Sequence, residues 1–244
     1  MPFDTWGPRA NNFPVEQIPD KCDSSLWQQA RVLKVIDYII SLDLNYCHHH
    51  SPHWLPMDNS YFRNKIVDDK GICTDRGENG TNQWIGIDCS HFSSFTYNLA
   101  LGTPFNTAVG SQACGEKAPG KVINITNDTV DANIELLKPG DLLFIESGGN
   151  ISHVIMWTGY KLENNSGIFG MDNILKSYRE GSSRDYYNRT VTKKMRNNET
   201  VYIIADSSYD GPNYRFFLGW LKNNLKHARR TINPEPNLLE DCLL

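Results

Sequence analysis

Ile87-Asp88-Cys89-Ser90-His91-Phe92 opens a run of apolar residues at helical spacing, which predicts a helix that begins at the cysteine. About sixty residues later, Ile151-Ser152-His153-Val154-Ile155-Met156 places a histidine at the head of an apolar run that is typical of a buried strand. Cysteine attacks carbonyl carbon as the thiolate, and both a helix N-terminus and a nearby imidazolium favour that negative charge. The two segments therefore supply the two parts that thiol-based acyl chemistry requires.

A hairpin is predicted around the histidine. Residues 136–141 form a turn, residues 142–145 form a short apolar strand, and residues 146–150, which contain the Gly-Gly pair 148–149, form the hairpin loop. The returning strand is expected over 152–157, where Thr158-Gly159 ends it. Taken alone, this histidine is as well explained as a core residue satisfied by hydrogen bonds, because single Cys and His signals are weak.

The order and spacing of these segments resemble the NlpC/P60 family of papain-like cysteine peptidases. Members of that family carry D-C-S-G at the nucleophile and a P-G-D-L-x-F hairpin that ends in S-H-V. The matching residues here are Asp88-Cys89-Ser90, Pro139-Gly140-Asp141-Leu142-Leu143-Phe144 and Ser152-His153-Val154. Residues 102–112 are similar to the family's G-x-x-L-P-R-T stretch with its downstream glutamine, and residues 220–232 look like its closing strand. The resemblance spans residues 42–232, with interruptions.

The resemblance implies an α+β fold of the papain-like NlpC/P60 type, in which the helix that carries the nucleophile packs on an antiparallel sheet of five or six strands. One catalytic domain, 25–235, is expected between an N-terminal arm, 1–24, and a C-terminal tail, 236–244. Relative to the family, the chain carries insertions at about 48–83 and 161–200. An ordered loop as long as the first is often a lid or a specificity element. The second is expected to be a β-hairpin, a short helix or a mobile surface loop.

The first helix is predicted to begin at Ser25, where Ser25-Leu26-Trp27-Gln28 has the form of a capping box. Apolar residues at helical spacing predict its buried face, and they are Leu26, Ala30, Leu33, Ile36 and Ile40. In the family, this helix packs against the helix that carries the nucleophile.

The resemblance assigns Cys89 as the nucleophile and His153 as the general base that later protonates the leaving amine. The backbone N–H of Cys89 is the natural donor to the oxyanion. Family members place a third polar residue, most often a histidine, on the next strand, but residues 201–206 hold no histidine. Asp206 is therefore the candidate, because a carboxylate can accept the second imidazole N–H and fix the tautomer. The alternative makes Asp206 a turn residue before Ser207.

The resemblance also implies a substrate-binding pocket made of Tyr46, Asp88 and Ser90, which would bind the free N-terminal amine of the substrate. A carboxylate beside an ammonium is selective, because charge-assisted hydrogen bonds are stronger than neutral ones. The implied substrate is a peptidoglycan stem peptide that is cut between D-glutamate and a diamino acid. His91 stands where the family has glycine, so its ring is expected either to narrow this pocket or to add a second imidazole to it.

Potential metal ligands are densest at Cys47-His48-His49-His50-Ser51-Pro52-His53, where Cys47, His49 and His53 could supply three zinc ligands. Adjacent residues of an extended chain point to opposite sides, however, and a structural zinc site needs four converging ligands. We therefore expect no metal and no other cofactor, and we expect these histidines to line the entrance of the cleft. A disulfide between Cys47 and Cys73 would close the first insertion.

Composition limits the partners. The chain has 24 Lys and Arg against 28 Asp and Glu, a formal net charge of −4, which argues against nucleic acid because phosphate binding needs clustered cations. The one basic cluster, 222–230, is expected to form a solvated helix face. The sequence contains no apolar run of about 18 residues, so it predicts no transmembrane helix. Six cysteines leave the compartment open. We expect an exported monomer, periplasmic or extracellular, with a cytoplasmic protein as the alternative.

Together these observations predict a cysteine peptidase that hydrolyses peptidoglycan stem peptides through an acyl-enzyme. Two alternatives stay open. One keeps the Cys-His machinery as an amidase or acyltransferase on a substrate outside the cell wall. The other is a catalytically dead binding protein whose cleft is blocked by His91.

Overall fold

The computed structural model describes residues 24–41, 46, 87–103, 105–106, 108–114, 118–162, 174–175, 178, 182–208 and 211–232 of the chain. In chain order, the helices are α1 (Ser25–Ser41), α2 (Cys89–Leu101), α3 (Val109–Ala113), α4 (Val130–Asn133), α5 (Ser182–Arg196) and α6 (Trp220–Asn223). The strands are β1 (Lys121–Ile123), β2 (Leu142–Ser147), β3 (Asn150–Leu162), β4 (Val201–Ser208), β5 (Gly211–Phe216) and β6 (Leu225–Arg230). A short 3₁₀ turn, Ile134–Leu136, follows α4 directly.

The six described strands form one sheet in the order β1-β6-β2-β3-β4-β5, and every neighbouring pair is antiparallel. The expected α+β fold, with an antiparallel sheet of five or six strands, is therefore confirmed. Strands β2 and β3 lie in the middle of the order, so the hairpin predicted from the sequence forms the centre of the sheet.

Two apolar cores lie on the two sides of the sheet. One contains the buried residues of α1 and α2 together with Phe144 and Phe216. The other packs Leu143 and Trp157 against the segment 125–137. Because successive residues of a strand point to opposite faces, neighbours such as Leu143 and Phe144 belong to different cores. The sheet is covered on both faces, and for that reason β2 is an uninterrupted apolar run rather than an alternating one.

Helix α2 is buried almost all round, although its sequence predicted a single buried face. Leu99 alone among its residues is partly exposed. Two of its serines find partners in the core: Ser93 Oγ donates to Gln112 Oε1 at 2.8 Å, and Ser94 Oγ donates to the Phe105 carbonyl at 3.0 Å. Such bonds remove most of the cost of burying a hydroxyl. Apolar spacing alone could not predict this burial, since it depends on partners that are distant in sequence.

The β2–β3 hairpin turns at Gly148 and Gly149, whose φ angles are 59° and 83°. Ser147 and Asn150 face each other across this turn, so the loop has the two glycines alone. A two-residue hairpin loop of the favoured type needs positive φ at both positions, and glycine adopts that conformation without strain. The predicted hairpin is confirmed at this end.

At its other end, β3 differs from the prediction. Thr158-Gly159 does not end the strand, which continues to Leu162. The register with β4 shifts between Trp157 and Lys161, and Gly159 lies inside that irregularity with a φ of 76°. A glycine within a strand often marks a bulge rather than a strand end, which is why the predicted boundary was wrong.

Helix α1 begins at Ser25 as predicted, but its cap and its buried face are displaced from the prediction. The Trp27 amide donates to Ser24 Oγ at 3.4 Å, so Ser24 caps the helix. The buried residues are Trp27, Val32, Ile36 and Ile39. Leu26, which was expected inside, is 49% exposed. Burying the larger indole ring of Trp27 removes more apolar surface from water than burying Leu26 would.

The basic cluster 222–230 does not form a solvated helix face. After the short α6 it becomes β6, and its arginines bind groups on neighbouring segments. Arg230 forms an ion pair with Asp141, with 2.7 Å between Nη2 and Oδ2. Arg229 Nε donates to the Pro119 carbonyl at 2.9 Å. These two cations join the closing strand to the turn before β2 and to the segment before β1.

Several predictions fall outside the described residues. These are the arm up to residue 23, the first insertion at 48–83, the cluster of potential metal ligands at 47–53, the pairing of Cys47 with Cys73, and the tail 236–244. The second insertion, 161–200, contains α5 in its second half. None of the described helices combines the length and the apolarity that crossing a membrane requires.

Candidate active site

Cys89 is the first residue of α2 and is 6% exposed. Amides in the first turn of a helix have no acceptor within the helix, and the helix dipole favours a negative charge there. The sheet fixes the residue before Asp88, because Ser207 Oγ in β4 donates to the Ile87 carbonyl at 2.6 Å. The predicted nucleophile therefore stands at a rigid position that suits a thiolate.

His153 lies in β3 and Asp206 in β4, and the pairing of these strands brings the two side chains together. His153 Nε2 is 2.7 Å from Asp206 Oδ1, and the two side chains are 12% and 2% exposed. Asp206 occupies Nε2 of the ring, which leaves Nδ1 for Cys89, the other side chain that acts on the charge of His153. The alternative of a turn at Asp206 is wrong, because β4 continues to Ser208.

The charges of these three groups support one another. Burial disfavours a charged imidazole, but the Asp206 carboxylate and the Cys89 thiolate, together with the hydrogen bonds to both, raise the pKa of His153 well above its usual value. Burial also disfavours a charged carboxyl, yet the His153 imidazolium and the Arg215 guanidinium lower the pKa of Asp206. At neutral pH the arrangement favours an imidazolium at His153 beside the Asp206 carboxylate, and a cysteine nucleophile paired with histidine uses such an imidazolium.

Arg215 completes this cluster, and sequence reasoning missed it. It lies in β5, where its Nε is 3.2 Å from Asp206 Oδ2 and both side chains are buried. Its guanidinium lies 5.3 Å from the centre of the Tyr178 ring, within the range of a cation–π contact. One signal was available, since Arg215 is the single charged residue of Gly211–Phe216. Arginine is almost never buried without a partner, so a lone cation next to a strand with a carboxylate indicates an ion pair.

A second pair of histidine and aspartate occupies the first turn of α2. Asp88 Oδ1 accepts from the His91 amide at 2.8 Å and from Ser90 Oγ at 3.1 Å, and it lies 2.7 Å from His91 Nδ1. All three residues are buried. Three of the four predicted substrate-binding residues therefore lie together, and the His91 ring adds an imidazole beside the carboxylate. Tyr46, the fourth, is half-buried, and its place in the pocket stays a prediction.

Gln112 fastens the same turn from outside the helix. Its Nε2 donates to the Ser90 carbonyl at 2.8 Å and to the Asn106 carbonyl at 2.6 Å, and its side chain is fully buried. The motif comparison pointed to this glutamine without giving it a role. The contacts indicate that it holds the residue after Cys89 in place.

Trp220, at the start of α6, forms a wall beside His153. The two ring centroids are 6.3 Å apart, and Trp220 is 48% exposed. The start of α6 therefore places an indole next to the predicted general base.

Within the ranges that the structure describes, no three His, Cys, Asp or Glu side chains come together as metal ligands could. The two cysteines in these ranges, Cys89 and Cys114, are both free, and Cys114 is exposed.

A family model described as NlpC/P60 family matches residues 77–199, just over half of the chain. The match contains Cys89 and His153, and it confirms the resemblance seen in the motifs. Asp206 and Arg215 lie beyond its C-terminal end. No curated protein matches the chain.

Proposed function

The chain belongs to the NlpC/P60 family, and from this premise we propose that it is a cysteine peptidase that hydrolyses peptidoglycan stem peptides. The family is usually one of hydrolases that act on cell-wall-type substrates. The finer part of the proposal is the bond, which lies between a D-glutamyl residue and a diamino acid. To reach this substrate the protein would be exported, and it would act as a monomer without a cofactor.

One observation carries the proposal. The His153 imidazole lies 2.7 Å from the Asp206 carboxylate, and Asp206 and Cys89 together raise the pKa of His153. A histidine satisfied by ordinary core hydrogen bonds does not need both a carboxylate and a thiol as neighbours. A binding protein without catalysis would have no reason to bury this charge arrangement, which costs desolvation energy.

In the first step, the Cys89 thiolate attacks the carbonyl carbon of the scissile amide, and a C–S bond forms. The carbonyl oxygen becomes an oxyanion, for which the backbone N–H of Cys89 is the proposed donor. The His153 imidazolium gives its proton to the amide nitrogen, the C–N bond breaks, and the amine leaves. A thioester on Cys89 and a neutral imidazole remain.

In the second step, His153 accepts a proton from water while the water oxygen attacks the thioester carbonyl carbon. The C–S bond breaks, the peptide leaves as a carboxylic acid, and the thiolate is restored beside the imidazolium. Asp206 accepts the Nε2–H throughout, so that the other nitrogen stays directed at the sulfur and at the leaving group.

The pocket around Asp88 bears on the substrate. If Asp88, Ser90 and Tyr46 bind a free α-amine, the carboxylate makes the strongest contribution. The pairing of Asp88 with His91, however, favours a second candidate function, namely an amidase for acyl groups that lack a free amine. In that case the imidazole takes the place that the ammonium would occupy.

Mass spectrometry of defined stem peptides tests the proposal. We expect the wild-type chain to cleave the peptide with a free N-terminal amine at the D-glutamyl bond, and we expect Cys89→Ala to abolish cleavage. Cys114→Ala is the matched control, since Cys114 is the other free thiol of the described residues, is exposed and lies outside the site. The control is expected to cleave at the wild-type rate.

A peptide with an acetylated N-terminus separates the two candidates. Cleavage of the free-amine peptide alone supports the stem-peptide proposal. Cleavage of the acetylated peptide alone moves the protein to the amidase function. If neither is cut but Cys89 is selectively alkylated compared with Cys114, the substrate proposal is wrong and the thiol site stands.

A further inference from the structure

Arg215 is placed for contact with Asp206 by the register of two strands. Ile204 faces Arg215 and Asp206 faces Asn213 across the β4–β5 pair, so Asp206 and Arg215 are diagonal neighbours. Diagonal positions on an antiparallel pair are within reach of a long side chain. The Arg215 side chain is 7% exposed, and its Nε ends 3.2 Å from Asp206 Oδ2.

The Asp206 carboxylate thus has a partner on each oxygen. His153 Nε2 lies 2.7 Å from Oδ1 and Arg215 Nε lies 3.2 Å from Oδ2, while the Ser208 side chain also lowers the pKa of the carboxyl. A buried anion is tolerated only when its lone pairs are satisfied and its charge is balanced. If His153 alone balanced it, the loss of the imidazolium proton during catalysis would leave Asp206 as an unpaired buried charge.

Aromatic side chains fix the position of the guanidinium. Arg215 lies 5.3 Å from the centre of the Tyr178 ring. That ring is stacked on Phe216 and on Tyr187, with centroid distances of 5.9 Å and 4.2 Å. The Phe216 amide donates to the Tyr178 hydroxyl oxygen at 2.8 Å. The stack leaves Arg215 little room to turn away from Asp206.

We propose that Arg215 is a positioning residue for catalysis, which keeps Asp206 ionised and directs Oδ1 of that carboxylate at His153. Arginine suits this role because its guanidinium stays charged at every pH at which the protein folds. The proposal rests on the proposed function, since it gives Arg215 an effect on amide hydrolysis that passes through Asp206 and His153.

The second insertion takes part in this arrangement. Tyr178 and Tyr187 both lie within 161–200, and both contact either Arg215 or the ring that holds it. The groups that face Asp206 are therefore His153 from β3, Arg215 from β5, Ser208 from its own strand, and the two tyrosine rings of the insertion. Among these, Arg215 and protonated His153 are the cations.

The test compares Arg215→Lys, Arg215→Met and, as a matched control, Arg189→Met on the exposed side of α5. We expect Arg215→Met to lower kcat roughly tenfold or more, because part of the general acid–base contribution is lost. KM should change little. Arg215→Lys keeps a cation and should recover part of the loss, and the control should match the wild type.

A readout that does not need activity is the ¹³C NMR titration of the Asp206 carboxyl. Arg215 lowers the pKa of Asp206, so its removal should move this titration to higher pH, and Arg215→Lys should lie between the two. If the charge of Arg215 does not act on Asp206, the titration stays in place. Assignment of the signal uses Asp206→Asn.

A double-mutant cycle completes the test. If Arg215 acts through Asp206, the variant Asp206→Asn/Arg215→Met should be no slower than Asp206→Asn. Losses that multiply, or an unmoved Asp206 titration, would overturn the proposal. If Arg215→Met does not fold, the double variant and Arg215→Lys test the proposal in its place. Neither of them leaves Asp206 as an unpaired buried anion. If neither the wild type nor any variant cleaves a peptide, the substrate proposal fails. The NMR titration still tests whether Arg215 acts on Asp206.

Discussion

Two buried pairs of histidine and aspartate accompany Cys89, and their distances are the same. His91 Nδ1 lies 2.7 Å from Asp88 Oδ1, and His153 Nε2 lies 2.7 Å from Asp206 Oδ1. The first pair is local, three residues apart within one helical turn. The second is tertiary, because it joins β3 to β4 and has Arg215 behind it. Cys89, together with Asp206, also raises the pKa of His153.

The difference shows that distance alone does not assign a role. The carboxylate of Asp88 is already occupied as the cap of α2, where it accepts the His91 amide and Ser90 Oγ. The carboxylate of Asp206 accepts from the imidazole that faces the thiol. We infer that the tertiary pair drives proton transfer and that the local pair shapes the start of the helix and the pocket beside it.

Removing each imidazole in turn is the most direct test of whether the two pairs have different roles. We expect His153→Ala to lower kcat/KM by at least about a thousandfold, because general acid–base catalysis is lost and Cys89 loses its cationic partner. His91→Ala should cost no more than roughly tenfold. Steady-state cleavage of the free-amine stem peptide measures both. Equal losses would mean that the local pair is catalytic as well.

The two carboxylates give the next largest effect. Asp206→Asn should lower kcat/KM roughly a hundredfold or more, since the imidazole loses the acceptor that fixes its tautomer. Asp88→Asn keeps the His153 environment and should act mainly on KM for substrates with a free amine.

The pH profile of Asp206→Asn has a predicted sign. Asp206 raises the pKa of His153, so the imidazolium of the wild type persists to higher pH than that of an isolated histidine. Without the carboxylate, the pKa of His153 falls, and the alkaline limb of kcat/KM should move to lower pH. In Asp88→Asn this limb should stay where the wild type has it. An unmoved limb in Asp206→Asn would show that Asp206 does not hold the proton on His153.

How much of this site the sequence predicted depends on the range of the contacts. Cys89 and His153 were predicted because each has a local motif, and Asp206 was predicted because the strand after β3 offers a single carboxylate. Arg215 was missed, since its role depends on a strand register and on Tyr178, whose contact with it no local pattern shows. The fold shows the same dependence on range. The turn glycines predicted the β2–β3 hairpin, whereas the buried face of α1, which depends on packing against distant residues, differs from the predicted face.

A smaller effect concerns the stability of the fold, to which the local pair of Asp88 and His91 should contribute through the cap of α2. Asp88→Ala removes the side-chain cap of α2, which should lower the free energy of unfolding by about 1 to 2 kcal/mol. Chemical denaturation monitored by circular dichroism measures this loss. Ser90→Ala is the comparison variant, because it deletes one of the donors to Asp88 while leaving the carboxylate as the cap. If the two variants lose the same stability, the cap contributes nothing beyond the hydroxyl contact.

The smallest expected effect concerns the pocket beside Asp88, where His91 should change the preference for substrates with a free N-terminal amine. His91 Nδ1 and a substrate ammonium would compete for the same carboxylate oxygen, so the His91 ring should weaken the preference for a free N-terminal amine. In His91→Asn we expect the ratio of cleavage rates for free-amine and acetylated peptides to rise about fivefold, which corresponds to roughly 1 kcal/mol of competing hydrogen bond. His227→Asn is the matched control, because His227 lies in β6 and bonds to the Ala113 carbonyl. If the ratio falls in His91→Asn, the imidazole orients Asp88 for the amine rather than competing with it, and the local pair would then be part of substrate recognition.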